Sequence, residues 1–380
     1  MATRTPVMVL QLRSSAGMYG ADRVVLALDE ALRGVGIRSA LLCIRNYLLD
    51  RQPLHEAAVD AGCDAELLPC RGRIDMRTVD ALVAQIDTRG AGVLHVHDYK
   101  SAFYAWLAAR RRPHVKLVAT LHGWVESSRA LRLYTTLELA LLRRFDALAV
   151  VSRPQVERLL RAGVPGSLVH QVDNGIAMPA PAPERPALRR ALGLAGAGPV
   201  LAAVARLSPE KNLAQLVYAF AAASEDIPGA RLLVVGDGPE RDALQALAQG
   251  SGAAGRIVFT GTRDDVADIY RLVDALVLPS LSEGMPLVVL EAMSHALPVI
   301  ASAVGEVPRL LAGTGHGVLL RPGDAGQLQA ALRQALARPA GRDARAAETV
   351  RTRYSTAAMA GHYRDLYHSL QAQGHDRKSA

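Results

Sequence analysis

Short apolar segments typical of strands alternate along most of the chain with longer segments whose apolar spacing is typical of amphipathic helices. In the first half these segments span residues 7–12, 24–32, 40–44, 79–86, 93–96, 103–109, 117–121, 131–142 and 147–151. In the second half they span residues 200–204, 213–223, 231–235, 257–261, 275–278, 287–293, 299–302, 318–320 and 325–336. This alternation indicates βα units around mostly parallel sheets, and therefore an α/β fold. A chain of 380 residues exceeds the usual size of a single core, so we expect two domains.

Two features near residue 178 predict where the domains divide. Asn174-Gly175 is a turn signal, and residues 179–186 form a Pro-rich stretch that suits an extended linker. We therefore predict one domain at residues 1–178 and a second at residues 187–350. Apolar residues at helical spacing predict an amphipathic helix within residues 351–370. We expect residues 371–380 to be a disordered tail.

Composition excludes several classes of protein. No apolar run reaches the roughly 18 residues that a membrane span needs, and the first residues lack the apolar core of a signal peptide. The three cysteines have no metal-ligand spacing, and their odd number argues against a disulfide framework, so we expect a reducing cytoplasm. Aromatic residues make up 4% of the chain and do not interleave with a basic stretch, which argues against a nucleic-acid partner.

The net charge of +8 is concentrated in the first half, where residues 1–178 carry 23 Lys and Arg against 17 Asp and Glu. Only four of the 44 basic residues are lysine, so a compositional bias towards arginine is one explanation. The other is a basic face that contacts an anionic membrane surface or a phosphate-bearing acceptor. The second explanation predicts peripheral attachment at the inner face of the cytoplasmic membrane.

The segment at residues 279–291 contains the most informative polar residues. Glu283 and Gly284 lie on a short loop after a predicted strand, and open α/β sheets bind ligands at the carboxyl ends of strands. Pro286 is predicted to be the first residue of a helix that is apolar on every side except Glu291. A carboxylate on a buried helix needs a partner from elsewhere in the fold or from a ligand. Sugar and ribose hydroxyls suit it, because an ionised carboxylate only accepts hydrogen bonds.

Glu283 and Glu291, with Gly-Met-Pro between them, resemble the E-x7-E motif of the retaining GT-B glycosyltransferases of group 1, also called family 4. The alternative is a capped buried helix with one stray glutamate. The resemblance implies that Glu283 orients a donor sugar through its hydroxyls and that Glu291 holds a ribose. It also implies contacts from the loop backbone to the sugar and phosphate, at Gly284, Met285, Pro286 and Leu287.

Arg206 and Lys211 bracket a predicted strand-to-helix turn, where both side chains can converge on an anion at a helix N-terminus. They resemble the Arg and Lys of the family that hold the diphosphate of the donor. The alternative is two solvated surface charges. The family commonly has Lys-Gly here, so Asn212 is a departure. The resemblance also implies that the nucleotide base lies against backbone near Arg263.

Two features of the first half resemble the family's N-terminal domain. Gly17 and Gly20 lie in a loop between a strand and a helix, where the family has a glycine-rich turn, although Tyr19 and Asp22 depart from its pattern. The alternative for each glycine is an ordinary tight turn. His122-Gly matches the family's histidine motif, which implies that the imidazole lies beside the donor sugar. His97 is interpreted as structural or acceptor-side, and a metal site at His-x-His is disfavoured because no third ligand is in view.

The resemblance covers the whole chain and implies the GT-B fold, with two Rossmann-like domains that face each other across a cleft and a last helix that crosses back to the first. The first domain would take the acceptor and the second the nucleotide-sugar donor. We expect a retaining hexosyltransferase that moves a sugar from a UDP- or GDP-sugar to a glycan or lipid-linked acceptor. The first domain resembles bacterial exopolysaccharide or lipopolysaccharide transferases, which implies cell-surface polysaccharide synthesis.

Charge develops on the departing diphosphate, and Arg206, Lys211 and two helix N-termini would stabilise it. No Asp-x-Asp triplet occurs, so we predict no metal requirement and no cofactor beyond the nucleotide sugar. Two other classes stay open, a nucleotide-sugar epimerase of GT-B fold and a non-catalytic nucleotide-sugar-binding partner subunit. A dehydrogenase is excluded because the glycine fingerprint at residues 250–255 follows a helix and precedes a strand.

Overall fold

The computed structural model describes residues 7–122, 139–181, 183, 185–196, 198–315 and 317–376, the last four as backbone only. The chain forms two compact units. The first unit comprises Met1–Ala177 with Tyr354–Ala380, and the second comprises Met178–Arg353. Most of the predicted helix at residues 131–142 and two positions of the predicted linker, residues 182 and 184, lie outside the described residues.

Within the described residues, the first unit contains a sheet of seven parallel strands. In chain order the strands are β1 Met8–Arg13, β2 Arg38–Ile44, β3 Ala65–Leu68, β4 Val93–Val96, β5 Lys116–Leu121, β6 Ala147–Val150 and β7 Val169–Gln171. Their order across the sheet is β3-β2-β1-β4-β5-β6-β7. The helices between them are α1 Gly20–Gly34, α2 Pro53–Asp60, α3 Met76–Arg89, α4 Tyr99–Arg111 and α5 Arg153–Arg161.

The second unit repeats this plan with six strands in its described part. They are β8 Val200–Val204, β9 Arg231–Val235, β10 Ile257–Gly261, β11 Ala275–Leu278, β12 Val299–Ser302 and β13 Gly317–Leu320, in the order β10-β9-β8-β11-β12-β13. The helices of this unit are α6 Pro186–Ala191, α7 Leu213–Ala223, α8 Arg241–Gly250, α9 Val266–Leu272, α10 Leu287–Ser294, α11 Val307–Leu311, α12 Ala325–Ala337 and α13 Ala344–Arg353. Each unit has its own apolar core.

The last helix, α14 at Thr356–Asp376, packs against α1 of the first unit. Its inward-facing residues include Tyr363 and Tyr367, both almost fully buried. The return of the last helix to the first unit is therefore confirmed, as is the α/β fold. Helix α14 continues to Asp376, through the first six residues of the segment expected as a tail.

The sequence pattern missed strands β3 and β7, which form the two edges of the first sheet. Edge strands are half-exposed, so their residues do not form the continuous apolar run that marks a central strand of a parallel sheet. Central strands such as β4 and β6 are buried along their whole length and were predicted from that run. No helix in the described part of the chain is long and apolar enough to span a membrane.

Candidate functional site

In the second unit, the loops after β8 and β11 meet at the middle of the sheet. These two strands are neighbours, and the chain continues to opposite sides from them, to β9 and β10 on one side and to β12 and β13 on the other. Such a reversal point leaves a crevice at the carboxyl ends of the strands, where α/β sheets bind ligands. The β8 loop carries Arg206 and Lys211, and the β11 loop carries Glu283.

Lys211 and Glu283 form an ion pair across these two loops. The Lys211 Nζ atom donates to Glu283 Oε1 at 2.7 Å. The side chains are 20% and 8% exposed, respectively, so both charges are largely removed from water. The sequence analysis assigned Lys211 to a phosphate and Glu283 to a sugar, and it did not predict that the two side chains would pair. Arg206 lies on the same loop as Lys211 and is exposed.

Asn212 stands where the resemblance led us to expect a glycine after Lys211, and its backbone conformation accounts for this departure. Its φ of 55° lies in the left-handed region, which glycine and asparagine adopt more readily than other residues. This conformation ends a short 3₁₀ turn and starts helix α7. The same stretch is tied to the β11 loop, because Leu281 N donates to Glu210 O at 2.8 Å. Asparagine therefore adopts here a backbone conformation that glycine would also adopt readily.

Two glycine contacts hold the β8 loop in place. Gly236 has a φ of 131°, and a Cβ there would overlap the carbonyl of Ala205. A Cβ on Gly238 would overlap the backbone of Leu207. The Gly-x-Gly turn after β9 thus packs directly on the two neighbours of Arg206.

A third glycine, Gly305, supports the loop that carries Glu283. A Cβ on Gly305 would overlap the carbonyl oxygens of Glu283 and Gly284. Glu306 N donates to Gly284 O at 2.9 Å, and the Glu306 side chain is buried against Arg309. Sequence analysis missed this support, because nothing in the local pattern at residues 305–309 shows which loop lies above it.

Glu291 finds its partner within the fold. The Tyr270 hydroxyl, on helix α9, donates to Glu291 Oε2 at 2.9 Å, and Tyr270 is almost fully buried. Glu291 itself is half-buried, so its carboxylate is not enclosed as the sequence suggested. Pro286 is the N-cap of α10, with φ −72° and ψ 121°, and not its first helical residue. Met285 and Pro286 are buried, whereas Leu287 is half-buried.

Arg263 is engaged by a neighbour on its own loop. Its Nε and Nη2 atoms donate to the two carboxylate oxygens of Asp265, both at 2.7 Å. This pairing raises the pKa of Arg263 and lowers the pKa of Asp265. The side chain is therefore occupied, and the expected nucleotide contact near Arg263 concerns the backbone of the loop.

In the first unit, Gly20 is the first residue of α1 and Gly17 lies in the loop before it. Asp22, the departure from the family pattern, is fully buried at this helix end. Its Oδ2 accepts from Tyr19 N at 3.0 Å, and its Oδ1 accepts from Arg13 Nε at 2.9 Å. The helix N-terminus therefore has a carboxylate of its own, which the sequence analysis did not anticipate.

The loops after β1 and β4 are also joined. Ser14 N donates to Asp98 Oδ2 at 2.7 Å, and Arg13 Nη1 donates to the carbonyl of His97 at 2.5 Å. Asp98 is the N-cap of α4 and accepts from Ser101 N at 2.9 Å. The Asp98 carboxylate after β4 therefore binds backbone N–H groups and has a structural role.

His122 joins a cluster of buried polar side chains at the carboxyl ends of β1, β4 and β5. His97 Nδ1 lies 3.2 Å from His122 Nε2, and His97 Nε2 lies 2.6 Å from Gln11 Oε1. Burial lowers the pKa of His97 well below 6.5. Burial is the main cause that lowers the pKa of His122 to about 3, and the positive charge of Arg13 is the second. The residue is nevertheless only half-buried.

His95 belongs to a second network that reaches the last helix. Its Nε2 lies 2.7 Å from Thr120 Oγ1, and its Nδ1 lies 2.7 Å from the Tyr367 hydroxyl. Thr120 Oγ1 also lies 2.7 Å from the Tyr363 hydroxyl. Burial lowers the pKa of His95 to about 3, so the ring is neutral at physiological pH. Both nitrogens of each histidine in His-x-His are therefore already hydrogen-bonded.

The sequence analysis did not identify the partners of these residues. Tyr363 and Tyr367 were interpreted as apolar positions of an amphipathic helix, and Gln11 was part of a strand pattern. A fully buried polar residue within an apolar strand is a signal that could have identified Gln11, since such a residue needs a hydrogen-bond partner. No local signal connects Tyr270 to Glu291. The described residues contain no group of three or more His, Cys, Asp or Glu that could hold a metal ion.

Two family models match the sequence and together cover most of it. The model described as Glycosyl transferases group 1 matches residues 184–353, and the model described as Glycosyltransferase Family 4 matches residues 18–178. A D-inositol 3-phosphate glycosyltransferase of Actinosynnema mirum is 34% identical over 310 residues, which is 72% of this chain and 73% of that protein.

A second relative is the UDP-Gal:alpha-D-GlcNAc-diphosphoundecaprenol alpha-1,3-galactosyltransferase of Escherichia coli. It is 29% identical over 263 residues, which is 66% of this chain and 67% of that protein. Three other relatives match over only part of their sequence, since this chain spans 24% to 36% of their lengths.

Among solved structures, Anabaena Alr3699/HepE in complex with UDP and glucose superposes with a TM-score of 0.81. The two chains are 20% identical, and the match covers 96% of this chain and 100% of that one. At this level of identity the likeness establishes the fold.

Proposed function

The chain belongs to the glycosyl transferases group 1 family, and from this premise we propose that it is a retaining hexosyltransferase. It takes the sugar from a UDP- or GDP-sugar and transfers it to a glycan or lipid-linked acceptor. Its role is in the synthesis of a cell-surface polysaccharide. The observation that carries the proposal is the Lys211–Glu283 ion pair at the reversal point of the second sheet.

The pair has the chemistry that a nucleotide sugar requires. Lys211 has three N–H donors, and only one of them is used by Glu283 at 2.7 Å. The other two N–H donors can bind phosphate oxygens. Arg206, which is exposed on the same loop, adds a second cation. Glu283 keeps lone pairs that accept from sugar hydroxyls. Pairing with Lys211 fixes the carboxylate as an orienting acceptor, and we do not assign it as a nucleophile.

We assign Glu291 to the ribose of the donor. Its half-buried carboxylate accepts from the Tyr270 hydroxyl at 2.9 Å, and an ionised carboxylate only accepts hydrogen bonds. A ribose diol supplies two donors, which suits a group of this kind. The backbone from Gly284 to Leu287 is assigned to the sugar and phosphate, and His122 to the sugar.

The nucleotide and the acceptor are proposed from the relatives. The Anabaena protein is described in complex with UDP-glucose, and the Escherichia coli relative is named for a diphosphoundecaprenol acceptor. By analogy, we propose a UDP- or GDP-sugar and a lipid-linked or glycan acceptor. Developing charge on the leaving diphosphate is stabilised by Lys211 and Arg206, so we propose transfer without a metal requirement.

Donor binding is tested by thermal stabilisation of the full chain with UDP, GDP, their sugars and NAD, with EDTA present throughout. We expect UDP or GDP compounds to raise Tm and NAD to leave it unchanged. The same shift without EDTA would show that no metal contributes. If no nucleotide raised Tm, the donor site would be wrong.

Turnover is tested with Glu283→Ala and Glu283→Gln. We expect both to abolish sugar transfer while their unfolding curves stay cooperative. Near-normal transfer by Glu283→Ala would overturn the assignment. Conversion of the free donor without acceptor would instead identify an epimerase.

We also propose that the first unit contacts an anionic membrane, which would place the enzyme in the cytoplasm at the inner membrane face. The net positive charge of residues 1–178 supports this, and Arg110 and Arg144 both lie over the Trp106 ring, with guanidinium carbons 5.3 and 5.7 Å from its centroid. Sedimentation with anionic vesicles at low and high salt tests it. Absence of binding at low salt, together with transfer only to soluble acceptors, would exclude membrane contact.

A further inference from the structure

The side chain of Arg342, on the loop before helix α13, joins the C-terminal ends of two helices. Its Nη2 atom donates to the carbonyls of Tyr270 at 2.9 Å and Arg271 at 3.0 Å, both in the last turn of α9. Its Nη1 atom donates at 2.9 Å to the carbonyl of His295, the C-cap of α10. Carbonyls at the end of a helix have no partner within the helix, so a guanidinium that binds two such ends holds them together.

These contacts are part of a closed ring of four residues that includes Glu291. Arg342 binds the Tyr270 carbonyl, and the Tyr270 hydroxyl donates to Glu291 Oε2 at 2.9 Å. The main-chain N–H of His295 donates to the Glu291 carbonyl at 3.3 Å, and the His295 carbonyl accepts from Arg342. The position of the Tyr270 hydroxyl on Glu291 therefore depends on the spacing between α9 and α10, which Arg342 spans.

The backbone next to Arg342 is anchored to α10 in its own right. Asp343 N donates to the Ala296 carbonyl at 2.8 Å, just after α10 ends, and helix α13 packs against α10. The Arg342 side chain extends this anchor to α9. Arg342 is exposed, so its replacement opens no cavity in the apolar core and leaves the anchor on α10 in place.

From this ring we propose that Arg342 is a positioning residue for donor binding. It fixes α9 against α10, so that the Tyr270 hydroxyl holds the Glu291 carboxylate in the orientation that accepts from the ribose. The inference rests on the proposed function for the identity of the ligand at Glu291, but the ring of contacts does not depend on it. All four residues lie in the second unit, so the role is confined to that unit.

Binding of a nucleotide to the full chain measures the effect, with UDP or GDP as the probe, whichever raises Tm. We expect Arg342→Met to raise Kd roughly 3- to 10-fold, and by no more than Tyr270→Phe does, because it acts through that one hydrogen bond. We expect kcat at saturating donor to stay near the wild-type value. A fall in kcat at unchanged Kd would contradict the proposal.

Arg333→Met is the matched control for this titration. Arg333 is an exposed arginine of α12, and its Nη2 atom donates at 3.2 Å to the carbonyl of Ala222 in the last turn of α7. It therefore binds a helix end of the same unit without joining α9 to α10. We expect Arg333→Met to keep the wild-type Kd. An equal rise in Kd in both methionine variants would indicate a merely structural role for Arg342.

Arg342→Lys distinguishes the bridge from the charge. Lysine keeps a positive charge near the helix ends but lacks the planar fork whose two nitrogens bind α9 and α10 separately. We expect Arg342→Lys to bind the nucleotide as weakly as Arg342→Met. Wild-type affinity in Arg342→Lys would show that the charge alone suffices and would exclude the bridge.

The double variant Arg342→Met/Tyr270→Phe tests the route of the effect. If Arg342 acts through the Tyr270 hydroxyl, removal of that hydroxyl leaves nothing for Arg342 to position. We therefore expect the double variant to bind the nucleotide as weakly as Tyr270→Phe alone. If the two losses multiplied instead, Arg342 would act by another route and the proposal would be overturned.

Hydrogen exchange of the free protein tests the ring without any nucleotide. We expect Arg342→Met to speed amide exchange in residues 266–273 and 287–296, and Arg333→Met to leave it unchanged there. Unchanged exchange in Arg342→Met would show that the guanidinium does not hold the two helices. If exchange were faster as expected but no nucleotide raised Tm, the proposed function would fall, whereas the link between α9 and α10 would stand.

Discussion

The two sheets share one topology but have different chemistry at equivalent positions. The pair β1 and β4 in the first unit corresponds to β8 and β11 in the second, and in each unit a side-chain carboxylate joins the two following loops. In the first unit this carboxylate is Asp98, which accepts from backbone and caps α4. In the second it is Glu283, which pairs with a lysine and lies before the N-cap of α10.

The difference follows from the distance between the carboxylate and the helix. Asp98 directly precedes the first residue of α4, so its oxygens meet the free N–H groups of the helix. Glu283 lies three positions before the N-cap Pro286, so its carboxylate is left to another partner. The first unit consequently uses this carboxylate to bind backbone N–H groups, and the second uses it to bind a cation. The same fold thus gives the carboxylate a structural partner in one unit and a charged side chain as partner in the other.

The largest expected effect comes from removing the cation of the second unit. We expect Lys211→Met to lower turnover by about 10²- to 10³-fold, because the leaving diphosphate loses a fixed positive charge. Lys116→Met is the control, since Lys116 pairs with Asp146 at 3.1 Å and has a similarly low exposure. Steady-state transfer assays on both variants measure the effect. A similar loss in both would show that the change acts through the fold.

The next effect comes from disturbing the support of Glu283. Gly305→Ala must move backbone, because φ is 54° and the new Cβ overlaps the carbonyls of Glu283 and Gly284. We expect a loss of stability of about 1–3 kcal/mol and a clear loss of turnover. Gly313→Ala has a φ of 79° but nothing within 4 Å of the new Cβ, so it is expected to lose stability only. Full activity of Gly305→Ala would show that the loop position of Glu283 does not matter.

The neutral cluster of the first unit predicts sensitivity to acid. Burial lowers the pKa of His95 from 6.5 to about 3, so the unfolded chain binds more protons between these values. The contribution of His95 to the free energy of unfolding therefore rises with pH between about 3 and 6.5. It is fully present above 6.5, the pKa in the unfolded chain, and is lost as the pH falls towards 3. One such group contributes a slope of about 1.4 kcal/mol per pH unit.

Tryptophan fluorescence reports this unit, because both tryptophans, Trp106 and Trp124, lie in the first half of the chain. We expect His95→Gln to flatten the decline in urea stability below pH 6.5, whereas replacement of the exposed His114 leaves the slope unchanged. An equally steep decline in His95→Gln would contradict a neutral, buried His95.

The smallest expected effect tests the partner of Glu291. Tyr270→Phe removes one hydrogen bond of 2.9 Å, so we expect the KM for the donor to rise roughly 3- to 10-fold at nearly constant kcat. Tyr218→Phe, on an exposed tyrosine of the same unit, is the control. A fall in kcat at constant KM would place Glu291 nearer to the reacting atoms than the ribose.

The sequence by itself determined the alternation of strands and helices, and with it the α/β fold, because buried parallel strands need continuous apolar runs and amphipathic helices need a repeating apolar face. It also identified the loops that carry Lys211 and Glu283. These signals are local, since each is contained in a few consecutive residues. The edge strands were missed because exposure to solvent removes the apolar run.

Only the tertiary structure decided which side chains meet. Lys211 and Glu283 are 72 residues apart, and Gln11 and His97 are 86 residues apart. Such pairs are set by the order and register of the strands, which bring the ends of β8 and β11, or of β1 and β4, side by side. The backbone conformation of Asn212 and the glycine contacts at Gly305 were decided in the same way. A sequence motif shows which functional groups a residue carries, whereas the order and register of the strands determine which side chain lies next to it.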